Sequence, residues 1–148
     1  MILWLFLIGS TANNFGIGLG AYPNGLLSLK FRSNPEAVLQ LTVGTSAWHT
    51  YGETWGSALT IGGRALFGMG EGGSGVHYTH FLGAGAGIHS WTHKGTSSIG
   101  IVGEGFYTFE LFPNPQELPL SVEMGIGLGI SSGGMWLFIP LGIHFYIN

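Results

Sequence analysis

The chain has no cysteine and no aspartate, and Lys, Arg and Glu together supply only 7% of its 148 residues. The missing cysteine rules out a disulfide framework. It fits a cell-envelope protein, but many cytosolic proteins lack cysteine too, so it decides little. The scarcity of charge excludes more. An average soluble domain is roughly 25% charged, and a chain this small must cover a large surface with polar groups if water surrounds it. Four Lys or Arg and seven Glu are too few for that, and mean hydropathy is +0.38. Some solvent other than water must touch much of the outside. Net charge is −3 with no basic cluster, which argues against a nucleic-acid partner. Long apolar runs are absent as well. Residues 1–12, MILWLFLIGSTA, are too short for a transmembrane helix, which needs about 20 residues. They read either as the remnant of a signal peptide without its basic start or as a retained apolar strand or anchor. Residues 1–13 are therefore set apart from one domain over 14–148.

What is present is glycine, 28 residues of it without a G-X-Y period, and an alternation of period two along most of the chain. Period two is the signature of strands. Eight runs follow it: 15–21, 26–32, 38–47, 57–67, 76–88, 99–111, 120–130 and 137–147. One register carries Leu, Ile, Val and Phe, and the other carries Gly, Ser, Thr and the charges. Most runs approach the roughly 9–11 residues a tilted strand needs to cross a bilayer. Turn-forming residues separate them, as in Tyr22-Pro-Asn-Gly25 and Ser131-Ser-Gly-Gly134. A helical bundle is disfavoured, because each interior glycine costs a helix roughly 1 kcal/mol relative to Ala. The expected fold is all-β: an antiparallel up-and-down transmembrane β-barrel of about eight strands.

The position of the charges is the sharpest sequence test. Glu36, Glu53, Glu71, Lys94 and Glu117 fall in connections. The other six, Lys30, Arg32, Arg64, Glu104, Glu110 and Glu123, all fall on the less apolar register of their strands. In a membrane barrel the two registers face lipid and lumen, and a charge on the lipid face costs about 2–4 kcal/mol near the midplane. Three cations and three anions in a lumen just wide enough for side chains must pair. A lumen ion-pair network is expected, with Arg64 and Lys30 meeting Glu104 and Glu123 and inward glycines making room for Phe106, Phe138 and Tyr146.

Aromatics gather near the turns, as two interfacial girdles require. With the N-terminus on the periplasmic side, Trp48, Trp55, Trp91, Trp136, Tyr22 and Tyr51 form the outer rim. Phe31, Phe67, Tyr78, Phe109, Phe112 and Phe145 form the other. The segment 140–148, PLGIHFYIN, resembles the closing strand of outer-membrane barrels: a Gly followed at +3 and +5 by apolar or aromatic residues, here Gly142, Phe145 and Ile147. Pro140, where a polar residue is usual, and the terminal Asn148 depart from that pattern. Pro140 also predicts a local bulge, because it has no ladder donor. Residues 15–147 are similar in layout to small eight-stranded outer-membrane β-barrel proteins of the OmpA membrane-domain type. The resemblance implies a place in the bacterial outer membrane, contact with its lipid and lipopolysaccharide, and recognition of Gly142, Phe145 and Ile147 by the barrel-assembly machinery.

Little specific chemistry is legible. His77 and His89 share a register but stand roughly 40 Å apart along a strand, and His89 with His93 make only two ligands, so no metal or other cofactor is expected. Residues 68–73, GMGEGG, precede a strand and not a helix, which favours a hairpin connection over a phosphate loop. His89, Ser90 and Glu53 are the only candidates for nucleophilic chemistry on lipid A, without an ordered motif, and no enzyme is expected. The leading function is a structural or interaction role, with another membrane protein or a second copy as partner. A narrow porin-like channel and a lipid A-modifying enzyme are the alternatives.

Overall fold

The computed structural model describes residues 15–22, 25–34, 36–45, 58–74, 76–93, 96–113, 119–132 and 134–147. They form β1 (Phe15–Tyr22), β2 (Gly25–Asn34), β3 (Ala37–Gly44), β4 (Ala58–Gly72), β5 (His77–His93), β6 (Thr96–Phe112), β7 (Leu120–Ser131), β8 (Gly134–Phe138) and β9 (Leu141–Ile147). β8 and β9 run in one line against β7 and are two segments of a single stave. Each stave pairs antiparallel with its chain neighbour, and β9 pairs with β1 from Phe15↔Ile147 to Ala21↔Leu141. The result is a closed, eight-stranded, up-and-down antiparallel barrel.

The bulge expected at Pro140 does not form. Phe138 faces Gly127 and Leu141 faces Met124, so the register is the same on both sides of the proline. The Gly125 N–H still donates to the Pro140 carbonyl at 3.1 Å. The proline withholds one ladder donor and changes nothing else in the register. Register shifts occur instead between Leu19 and Tyr22, Arg32 and Asn34, and Gly68 and Gly70. The last lies inside the GMGEGG segment: β4 continues through it to Gly72, and the connection is shorter than the sequence implies.

Closure sets the geometry of the lumen. Cross-strand neighbours lead from Gln40 through Arg64, Gly85 and Glu104 to Gly129 on β7. The opposite way round, Gln40 leads through Lys30, Gly16 and Tyr146 to Pro119, which is ten residues from Gly129. Such a stagger over eight strands requires a tilt of roughly 35–45°. Residues close in the lumen are thus distant in sequence.

The inward register is built as glycine opposite bulk. Gly16 lies across from Tyr146, Gly18 from His144, Gly83 from Phe106, Gly127 from Phe138 and Gly129 from Trp136. A Cβ on any of these glycines would run into the ring of its partner. Each large side chain lies over the glycine of the neighbouring strand, in a lumen just wide enough for side chains to fill. Val38, Leu66, Phe81, Phe106 and Phe138 form its apolar part.

The outward Gly105 differs, since a Cβ there meets nothing within 4 Å. Gly127→Leu is expected to destabilise the barrel by about 1–3 kcal/mol through overpacking, and Gly105→Leu to be neutral or mildly stabilising. The temperature at which the compact form is lost in detergent, followed by gel mobility, checks the pair.

Candidate functional site: the closed lumen

The distinctive assembly of side chains is the charged one inside the barrel. Lys30 and Arg32 come from β2, Arg64 from β4, Glu104 and Glu110 from β6, and Glu123 from β7. Strand alternation points all six inward, and five ion pairs join them into one chain of alternating sign. Arg32 Nη2 meets Glu110 Oε2 at 2.8 Å, and Lys30 Nζ bridges Glu110 Oε1 at 3.1 Å and Glu123 Oε2 at 2.7 Å. Arg64 bridges Glu123 Oε1 at 3.3 Å and Glu104 Oε1 at 3.2 Å. The order is Arg32–Glu110–Lys30–Glu123–Arg64–Glu104, so each interior member has an opposite charge on both sides. Only Arg32 keeps any side-chain exposure, 15%.

Uncharged polar groups complete the ends that ion pairs leave open. Ser121 Oγ and Tyr146 OH donate to Glu110 Oε1 at 2.6 and 2.5 Å, and Tyr22 OH donates to Glu123 Oε2 at 3.1 Å. Arg64 Nη1 donates to Gln40 Oε1 at 2.9 Å, and Gln40 Nε2 donates to Ser28 Oγ at 2.7 Å. With that bond filled, the Ser28 hydroxyl is free to donate to His144 Nε2 at 2.9 Å. The Arg64 guanidinium also lies over rings, 3.7 Å from the Phe106 centroid and 4.8 Å from that of Tyr22. A desolvated guanidinium gains from such faces about 2 kcal/mol. Charge pairing, hydrogen bonding and ring contact together offset the water that these ions lose on burial, although Arg32 Nε and Arg64 Nη2 have no hydrogen-bond partner among the described residues.

Sequence reasoning placed several residues wrongly. Tyr22, assigned to the outer girdle, is fully buried in the lumen. It follows the inward parity of Gly16, Gly18 and Gly20, and Gly20 and Gly142 leave space for its ring. Phe112 likewise continues the inward parity of β6 and is buried. Trp136 turns inward over Gly129 and packs against the apolar lumen cluster. All three stand near strand ends, where alternation persists up to the turn. Phe31, Phe67, Phe109 and Phe145 face outward and are 38–58% exposed. Trp48, Tyr51 and Trp55 lie outside the described residues, as does the Trp91 side chain. In the closing strand, Gly142 points into the lumen beneath Tyr22, and Phe145 and Ile147 point out.

Of the catalytic candidates, His89 and Ser90 point to opposite faces of one strand, with His89 buried on the inward register. Glu53 is outside the described residues. Among the described residues no group of three metal-binding side chains exists. His77 stands beside Glu71 at 3.9 Å on the exposed hairpin between β4 and β5.

No family model matches the sequence, and no curated protein matches it either. A solved structure of similar fold is that of Ail, the attachment invasion locus protein of Yersinia pestis. The two are 13% identical, with a TM-score of 0.47, and the match covers 90% of this chain and 93% of that one.

Glu123 is the pivot of the charge chain, since it holds both Lys30 and Arg64. Glu123→Ala leaves two buried cations short of a partner and is expected to cost about 3–5 kcal/mol. Lys30→Met combined with Glu123→Gln is expected to cost less than the sum of its parts, by about 0.5–3 kcal/mol. Unfolding midpoints of Glu123→Ala and of the four proteins of this cycle, in one detergent, test both statements.

Proposed function

We propose that the chain is an integral β-barrel of the bacterial outer membrane with a sealed lumen and a structural or interaction role. The observation that carries the reading is the sorting of side chains by face. Large apolar side chains such as Leu19, Ile61, Leu82, Ile101, Ile126, Leu137 and Phe145 stand 53–72% exposed on the outer wall. The six charges of the strand registers described above all lie on the inner side, buried or nearly so. In water such a surface would associate; in hydrocarbon it is the low-energy arrangement. The dimensions agree. From Leu120 to Ile130 the outward positions of β7 are all apolar, and eleven residues tilted as above rise roughly 25 Å, the height of the apolar band of outer-membrane barrels. A single closed sheet also leaves few ladder groups facing lipid, as a membrane-spanning strand structure must.

On this reading the wall's contacts are outer-membrane lipid and lipopolysaccharide, and another membrane protein is the natural partner of a barrel whose lumen holds no open path. The assembly machinery would meet the closing strand through Phe145 and Ile147, which lie on the outer surface. The proposal assigns no catalytic role. Steady conductance across planar bilayers is expected to be absent, in contrast to a porin.

Leu128→Arg places a cation on the outward register of β7. It is expected to cost about 2–4 kcal/mol when the barrel is folded in lipid vesicles. Equal folding midpoints for Leu128→Arg and the parent chain in vesicles would contradict a lipid-facing wall.

A further inference from the structure

One patch of the outer wall departs from the apolar rule. Tyr78 and His80 on β5 and Tyr107 and Phe109 on β6 have the outward parity, since Thr79, Phe81 and Thr108 between them are buried inside. His80 Nδ1 and the Tyr107 hydroxyl are hydrogen-bonded at 2.6 Å. The imidazole stacks on Phe109 with centroids 6.0 Å apart, and both tyrosine rings meet Phe109 edge-on. Two polar heads reach sideways over β4. A Cβ on Gly70 would stand 2.8 Å from His80 Nε2, and one on Gly72 2.5 Å from the Tyr78 hydroxyl. Both glycines belong to the GMGEGG segment, where the register shift between Gly68 and Gly70 leaves Gly70 opposite His80 and Gly72 opposite Tyr78. An interfacial girdle needs rings. It needs neither this hydrogen bond nor glycines cleared beneath two polar heads. Between His80 and Ser90 the outward residues of β5 are Leu82, Ala84, Ala86 and Ile88. Ten residues tilted by roughly 35–45° rise roughly 25 Å, the height of the apolar band. The patch therefore stands at headgroup level, at one edge of that band.

We propose that His80, Tyr78 and Tyr107 seat the phosphate of a membrane lipid on the outer wall, over Gly70 and Gly72; the level of the seat rests on the membrane reading above. The donors select the ligand. Whichever ring nitrogen of His80 carries the proton, the His80–Tyr107 pair keeps one donor beyond its own bond: Nε2–H when Tyr107 donates, the Tyr107 O–H when it accepts. The Tyr78 hydroxyl adds another. No carboxylate of β4, β5 or β6 shares this face, because Glu104 and Glu110 are buried inside and Glu71 pairs with the inward Thr79. Among the described residues, His80 is also the one side chain of the outward register able to carry a positive charge, since Lys30, Arg32 and Arg64 lie within. Such a set fits an anion, and bonds from charged donors to phosphate are the strong ones. A lipid ammonium would meet only donors of its own kind. The chain enters β1 and passes from β6 to β7 at this rim through residues 1–14, which carry no acid, and 114–118, which carry Glu117. Glu117, and Glu36 before β3, are the rival anions within the chain.

The test uses the full chain in maltoside micelles, which hold no phosphate, and follows the Gly70 and Gly72 amide resonances by NMR. Dihexanoyl-phosphatidylglycerol is expected to shift both to saturation. Dihexanoylglycerol, which has the same chains and no phosphate, is expected to leave them in place. His80→Phe is expected to weaken the phosphatidylglycerol titration at least about tenfold, and Tyr78→Phe about threefold. Both variants lie on the outer wall and keep their rings, so the compact gel form is retained, and a girdle without a seat would titrate as the parent does. Three results overturn the proposal: no saturating shift; an equal shift with dihexanoylglycerol; or equal titrations for His80→Phe and the parent. Inorganic phosphate that saturates the parent at the same concentration as the lipid would overturn the lipid as occupant and assign the seat to free phosphate. Lipid binding tightened about tenfold or more by Glu36→Gln or Glu117→Gln would give the seat to the chain's own carboxylate, and the proposal would fall. Failure of the membrane reading shows separately, as equal folding midpoints for Leu128→Arg and the parent in vesicles.

Discussion

The structure depends on the mutual neutralisation of six buried charges. A barrel of eight strands has no room for bulk water in its lumen, so ions placed there must find their solvent in one another. The chain Arg32–Glu110–Lys30–Glu123–Arg64–Glu104 does this by alternation of sign. Its members come from β2, β4, β6 and β7, so it ties opposite walls together across the lumen. Tyr22, Ser121 and Tyr146 supply hydroxyl donors where a carboxylate has oxygen valence left over. Removing any link exposes an ion to a medium that cannot solvate it, and for this reason the network is both a source of rigidity and the point of greatest vulnerability.

The glycine content follows from the same constraint. A guanidinium stacked on Phe106 and a lumen packed with rings leave no space for a Cβ on the facing strand, and Gly83, Gly127 and Gly129 occupy those places. The outer wall obeys the complementary rule. With the charges gathered inside, the outward register is free to be Leu, Ile and Phe. One sequence rule, polar and small on one parity and large and apolar on the other, therefore produces a charge-filled interior and an apolar exterior together.

Much of this was legible beforehand. Period two located every stave, because a strand with two different environments must alternate. The inward placement of the six charges followed from parity alone. The cross-lumen partners were harder to read. That Ser28 bonds His144, or that Tyr146 bonds Glu110, depends on a ten-residue stagger that no local pattern encodes. Tyr22, Phe112 and Trp136 were misassigned because aromatics near turns suggest an interfacial belt, although their parity matched the inward register. At Pro140 the missing donor suggested a bulge, yet one absent ladder bond costs less than a shift of register that would turn the rest of the stave inside out.

The central claim is that one parity of each strand faces hydrocarbon and the other a sealed interior. The chain has no cysteine of its own, so single cysteines at Val38, Leu39, Gln40, Leu41, Thr42 and Val43 of β3, spin-labelled in lipid bilayers, read this directly. The account predicts that collision with dissolved oxygen alternates, high at 39, 41 and 43 and low at 38, 40 and 42. Uniform collision along the strand, or maxima at 38, 40 and 42, would contradict it.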